Sequence, residues 1–591
     1  MFSCIQNILL ASPVVVDKSK NIHDGFKLPI SYVDPKFVHS LSPQVSADLE
    51  LASDISGNGT VMYDHILQPE NTFAKGMIVE WNKQFTTHVP FLIDSQSVLK
   101  SMPDYIQKVG SSTADCDKVM GIWKDTKEDV HFLEKYNYIE WDILKHLNNS
   151  NTFLQTVSII NMSSPVLSLI IPIIFFIFPF VLLKIQGVPI TFSTYIVVLK
   201  DVAKNHFIGS MINNIQSISW DKLMYILVTA GLYMLQIYQN YTACVRFYSN
   251  VNRINTRLCD MQAYLDHSIK SMDAFVDTNH HLPTYSTFCN TTRQRCDTLK
   301  QFRDELASIQ PFTAGFSKIA EIGHMLKCFY KLHSDADYED SLRYSIGFEG
   351  FVNNLIGIHR NLSDGIISYA EFSMDDSRCD FHQQFYPAYA KSDHVKNNCS
   401  LDRNIILTGP NASGKTTILK TTALNIIFTQ QFGVGFYKSC VLTPYSFIHS
   451  YLNIPDTSGR DSLFQAESRR CKDIIDIIDN PTNVGARHFC IFDELYSGTN
   501  PSEAIISAYA FLTYLSNKPA VEFMLTTHYV AICKKLKKSK RIANYKMSVK
   551  LTDSNIQYTY KMREGVSKVR GGVLILEEMN YPKEILDMIR K

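Results

Sequence analysis

Residues 404–417 read NIILTGPNASGKTT. The apolar run Ile405-Ile406-Leu407 has the composition of a buried strand, and Thr417 opens TILKTTAL, the start of a helix. Between them lies G-x-x-x-x-G-K-T, from Gly409 to Thr416. Glycines let the backbone bend until successive N–H groups converge on phosphate oxygens, and the helix start adds partial positive charge. In this frame Gly409, Pro410, Asn411, Ala412, Ser413, Gly414 and Thr417 form the nucleotide cradle. Lys415 reaches the β- and γ-phosphates, and the Thr416 hydroxyl ligates Mg²⁺. The strand–loop–helix setting predicts an α/β P-loop NTPase domain with ATP and Mg²⁺ as ligands.

A second strand with chemistry at its end lies downstream. His488-Phe-Cys-Ile-Phe492 is apolar and closes on Asp493-Glu494. Asp493 is placed to hold Mg²⁺ through water, and Glu494 to polarise the attacking water. A third strand, Val521-Glu-Phe-Met-Leu525, runs into Thr526-Thr527-His528. A histidine there is within reach of a γ-phosphate or of the same water. Glu494, Lys415 and His528 are thus the expected catalytic residues, and Thr416 with Asp493 the expected metal ligands.

These segments resemble the MutS family. GPNASGKTT is similar to the MutS phosphate loop, with Ala412-Ser413 where that family usually has Met-Gly. The stretch from Ala423 ending QQFGVGFYKS at Ser439 is similar to the helix and turn that follow that loop. Asp493-Glu494-Leu-Tyr-Ser-Gly498-Thr499-Asn500 resembles its acidic segment, and Thr527-His528-Tyr529 its Thr-His-Tyr. Ser462-Leu-Phe464-Gln-Ala-Glu467 is similar to its signature Ser-Thr-Phe-x-x-Glu, with leucine for threonine. Tyr560-Lys-Met-Arg-Glu-Gly565, Gly571-Gly572 and Tyr581-Pro582-Lys583-Glu584 echo its last strand and helix. The resemblance covers roughly residues 390–591. It implies a homodimer with composite sites, where Ser462 contacts the partner's nucleotide, and ATP-driven clamp-like movement on DNA. No N-terminal domain of the kind that wedges a Phe-x-Glu into mismatched DNA is seen in this sequence, so the resemblance gives no support to mismatch recognition.

Outward from this domain the composition changes. Pro165 to Leu183 reads PVLSLIIPIIFFIFPFVLL without a charge, and Leu223 to Ile237 reads LMYILVTAGLYMLQI. By length these predict a transmembrane hairpin, 165–183 and 223–237, within a segment 151–240. The ATPase domain would then face the cytosol; a soluble intracellular chain is the alternative, with the two stretches as core helices. Beyond it Phe247, Val251, Ile254, Leu258, Met261 and Leu265 form a heptad-like stripe, continued by Ile269, Met272 and Val276. A mostly α-helical, core- and lever-like region is expected over 241–390, ahead of the ATPase domain at 391–591. Residues 1–150 carry no motif, and their start lacks the positive region of a secretory signal.

The net charge of +1 makes no case of its own for a nucleic-acid binder. One basic run, Lys534-Lys-Leu-Lys-Lys-Ser-Lys-Arg541, suits either phosphate contacts or a solvated loop. The 13 cysteines form no CxxC pair, so neither a disulfide framework nor zinc is expected. Two other functions compete with a MutS-like ATPase. An ABC-type membrane-associated ATPase would need a Leu-Ser-Gly-Gly-Gln signature, where this chain has Ser458-Gly-Arg-Asp-Ser-Leu-Phe. A nucleotide-gated scaffold not acting on DNA would not need Lys415, Thr416, Asp493 and Glu494 together.

Overall fold

The buried run at 405–407 is the middle of a strand, Asn404–Thr408, in which every residue is buried. A computed structural model describes it with residues 25–54, 59–110, 115–187, 189–203, 220–312, 316–374, 377–392, 394–452, 454, 462–551, 556–569, 576, 579 and 581–590. The strand sits inside a six-stranded sheet. In order across the sheet the strands are Ile556–Glu564, Ile542–Leu551, Asn404–Thr408, Val521–Thr527, His488–Asp493 and Phe447–Tyr451. All neighbours run parallel except the first pair, which is antiparallel with a register shift between Ser548 and Val549. Strands buried on both faces read as continuous apolar runs, so three of them were legible in the sequence.

Register does the positioning. Thr408 pairs with Thr527, and Asp493 with Thr526, so these three strands end level. The turns that follow them all open on one edge of the sheet, the edge where open parallel sheets bind ligands.

The helix after the phosphate loop, Lys415–Phe432, is buried almost throughout. Part of its cover comes from the motif-free N-terminal segment. Trp81 packs on Phe432 with ring centroids 4.6 Å apart, and Tyr63 on Phe428 at 5.7 Å. Buried amides need partners, and they find backbone there. Gln430 Nε2 donates to the carbonyls of Thr86 and Tyr445, at 3.1 and 2.8 Å. Gln431 Nε2 donates to those of Trp81 and Gln84, at 2.7 and 2.9 Å. A second, five-stranded sheet has the order Asn397–Ser400, Cys379–Gln384, Ser439–Leu442, Ser368–Phe372 and Val434–Gly435.

The chain divides into two units, one holding residues 20–113, 270–296 and 343–591, the other 114–269 and 297–342. This division cuts across the four segments read from the sequence, because it groups residues 20–113 with the ATPase fold. The second unit is helical. Its helix Asn151–Ile185 packs on Phe316–Ser334. There Gln155 bridges the backbone of Ile319 and Gly323 at 2.6 and 2.8 Å. Gly323 admits this approach, since a Cβ would stand 2.5 Å from the Asn151 carbonyl oxygen. The heptad-like stripe lies on the 60-residue helix Trp220–Asn279, and all nine of its residues are buried.

The described helices leave the expected membrane hairpin without support as a pair of spans. Among the described residues one helical window is long and apolar enough to cross a membrane, Asn151–Ile170, and the shorter apolar stretch Phe176–Ile185 follows it on the same helix. The expected second span is not a separate element but the first part of Trp220–Asn279. The two helices do meet: the Tyr233 hydroxyl and the Asn240 amide both bond Ser168. A polar contact of this kind serves helix packing in any solvent. One such helix is also what the core of a soluble protein can contain. Apolar side chains such as Ile173, Phe178, Leu227 and Leu232 remain exposed on this pair.

Candidate nucleotide site

The phosphate loop turns from Thr408 into the helix at Lys415 through two left-handed residues, Ala412 at φ 60° and Gly414 at φ 90°. A Cβ on Gly414 would also lie tight against the Tyr560 ring, at 3.2 Å. Ser413 Oγ closes the loop on the Pro410 carbonyl at 2.8 Å. Lys415 is only 6% exposed, and its Nζ donates to the same carbonyl at 3.1 Å. Burial pulls the lysine pKa down, and the nearby charges of Glu494 and Asp493 oppose that.

The level strand ends bring the other expected residues to this loop. Thr416 Oγ1 donates to Asp493 Oδ2 at 2.8 Å, and Thr526 Oγ1 donates to Asp493 Oδ1. A hydroxyl and a carboxylate are the hard oxygen donors that Mg²⁺ takes, together with water and phosphate. No group of three His, Cys, Asp or Glu that could hold a metal occurs among the described residues. One hydroxyl and one carboxylate fit a cation whose remaining ligands are water and phosphate.

Glu494 follows in a strained turn, at φ 54°, with its N–H on the Thr526 carbonyl at 3.1 Å. Its Oε1 lies 2.9 Å from His528 Nε2, which is also 3.2 Å from Lys415 Nζ. One nitrogen cannot donate to a carboxylate and accept from an ammonium at once. The carboxylate contact is the shorter and is charge-assisted, so Nε2 carries the proton. The His528 bond is the first cause holding the Glu494 carboxyl below the usual range.

Above the loop is a cavity of about 600 Å³. Asn411, Ala412, Lys415, Thr416 and Glu494 are part of its lining. Aromatic groups line it too: Phe385, Tyr386, Tyr389, His394 and Tyr560. Phe385 and His394 are stacked at 4.1 Å. Tyr560 holds a left-handed backbone at φ 53°, which Asn397 secures by donating to the Tyr560 carbonyl at 3.0 Å and accepting from Met562 N–H at 2.8 Å.

Residues 405–591 match the family model MutS domain V. The C-terminal domain belongs to the MutS family. The MutS domain is similar to the DNA mismatch repair protein MutS of Bacteroides thetaiotaomicron, 29% identical over 224 residues, 36% of this chain and 25% of that protein. The proteins of the same description from Fusobacterium nucleatum and Aquifex pyrophilus are 28% and 26% identical over 204 and 186 residues. These matches cover 34% and 32% of this chain, and 22% and 21% of those proteins. The chain thus matches about a quarter of the length of these curated relatives.

Sequence reasoning missed the aromatic part of the cavity lining. Phe385, His394 and Tyr560 come from a connection, a loop and the outermost strand, and no spacing links them; only the non-glycine turn at Tyr560 marks one of them locally. Ser462 is the N-cap of helix Leu463–Ile478, exposed, in a reciprocal capping box with Gln465. It does not line this chain's own cavity. Ser458 to Asp461 and Gly571-Gly572 lie outside the described residues. Of the basic run, Arg541 is spent on the carbonyls of Ser516, Lys518 and Pro519, and Lys535 lies over the Tyr509 ring. The other lysines are exposed.

Proposed function

We propose that this chain is a MutS-type ATPase which binds ATP with Mg²⁺ in the cavity above Gly409–Thr417 and hydrolyses it. The observation that carries the reading is the convergence of Lys415, Thr416, Asp493, Glu494 and His528 at the end of one sheet. In this reading the base of ATP lies among the Tyr560, Phe385 and His394 rings. The triphosphate follows the loop N–H groups, and Lys415 leaves the Pro410 carbonyl for the β- and γ-phosphates. Thr416 and Asp493 hold Mg²⁺, which when bound neutralises charge on the phosphate oxygens. Glu494 orients the attacking water and takes up its proton, while His528 steadies the carboxylate and senses the γ-phosphate.

We further propose that two copies pair through this domain, with Ser462 facing the partner's nucleotide. ATP binding and hydrolysis then move helical arms on DNA. The names of the relatives favour DNA as the partner; the matched segment alone supports no claim to mismatch recognition.

The test is ATP turnover by the full chain with two variants. Glu494→Gln should retain ATP binding and lose turnover by 100-fold or more, while Lys415→Ala should lose binding. Wild-type binding without turnover would favour a nucleotide-gated scaffold instead. Matched and mismatched duplex added at a stated salt concentration test the DNA part; a rate indifferent to both would remove it.

A further inference from the structure

We infer that Glu467 is a positioning residue for Glu494, coupling the helix Leu463–Ile478 to the turn that aims the water-polarising carboxylate. The inference rests on the reading of Glu494 given above and adds what controls it.

Glu467 is 2% exposed and makes no ion pair among the described residues. Its carboxylate is held by hydrogen bonds from the acidic turn instead. Oε1 accepts from Ser497 N–H and Ser497 Oγ, both at 2.9 Å, and Oε2 accepts from Gly498 N–H at 3.2 Å. Beside it the Tyr451 hydroxyl accepts from Tyr496 N–H at 3.1 Å. A buried carboxylate is tolerated when donors surround it, and bonds to a charged acceptor are among the stronger ones.

The turn so gripped needs holding. Glu494 and Tyr496 both occupy left-handed backbone, at φ 54° and 60°. Residues other than glycine stay in such conformations only where the surroundings over-determine them. The same helix supplies two more restraints. Its first residues close on Gly498, where a Cβ would meet Leu463 Cγ at 2.7 Å and Phe464 N at 2.8 Å. The Phe464 ring packs on Tyr496 at 5.6 Å.

One end of this device is Glu494 against His528, and the other is the exposed helix start at Ser462. A displacement of the helix start, as by a ligand or partner seated on Ser462, is transmitted through Glu467 to the turn. The carboxylate is then withdrawn from its place or delivered to it. Hydrolysis at the site would answer to the helix start without any change in the nucleotide cradle.

The experiment compares the full chain with Glu467→Gln, which keeps the shape but turns an amide N–H₂ towards donors. Nucleotide affinity, kcat and thermal midpoint are measured together. The expected result is affinity within twofold of wild type and kcat reduced at least tenfold. Ser497→Ala removes one donor with little risk to folding and should lower kcat by two- to fivefold. In the double variant the two losses should not multiply, because they break the same link. Full kcat in Glu467→Gln, an equal loss of affinity and kcat, or multiplying losses would each overturn the inference. Failure of the underlying reading shows differently: Glu494→Gln would then turn ATP over at the wild-type rate.

Discussion

At the scale of single residues, the decisive contact is the 2.9 Å approach of His528 Nε2 to Glu494 Oε1. It is the leading cause of the lowered Glu494 pKa, ahead of the opposing effect of burial. A carboxylate with a depressed pKa keeps its charge until the pH falls through the depressed value. Activity that needs the anion should therefore persist below the ordinary carboxylate range. His528→Ala removes the first cause, so the acid limb of kcat should move up in pH, towards an ordinary glutamate near 4.3. The position of the limb, not the height of the profile, is the measurement; an unmoved limb would mean that another group sets it. The motif residues around this pair were legible because each stands at a strand end or helix start. Their pairing was not, because it depends on strand register.

At the scale of elements, the helix Ala336–Ser363 shows how a motif-free segment is held. Three glycines let the N-terminal segment approach its backbone. A Cβ on Gly347 would lie 2.2 Å from Phe26 Cβ, one on Gly350 2.5 Å from the Phe73 carbonyl oxygen, and one on Gly357 1.8 Å from that of Leu67. Asn361 then ties the end of helix Met62–Leu67, its Nδ2 donating to the carbonyls of His65 and Ile66, each at 3.0 Å. Helix glycines ordinarily cost stability, by about 1 kcal/mol against alanine. Here the cost is outweighed by close packing. Gly357→Ala should destabilise by about 3 kcal/mol, the upper range for overpacking. Chemical denaturation would show it as a lowered midpoint at unchanged slope, whereas a neutral result would mean that the Leu67 turn gives way freely.

At the scale of the whole molecule, the family match begins at Ile405 but the fold that supports it does not. The helix Lys415–Phe432 buries Phe428 and Phe432 against Tyr63 and Trp81, and places Gln430 and Gln431 on backbone from 81–86. A fragment of residues 391–591 would present that face to water as an apolar patch, a recognised cause of association. It should therefore aggregate or unfold without a cooperative transition, while the full chain unfolds cooperatively. A monomeric fragment with a sharp melting transition would contradict this account.

By itself the sequence marked the candidate site. Glycine spacing, a lysine and hydroxyl at a helix start, and carboxylates closing an apolar strand single it out, because each works through its immediate neighbours in the chain. It also determined the buried stripe on Trp220–Asn279, since helical period is a local property. Apolar length at 165–183 and 223–237 could not distinguish a membrane span from part of a longer helix; that depended on where helices begin and end. Only the tertiary structure decided that Asp493, Glu494 and His528 face Lys415, that rings from separate segments close the cavity, and that residues 25–110 belong with the ATPase fold. Those relations arise from register and packing between residues far apart in the chain, and no local pattern encodes them.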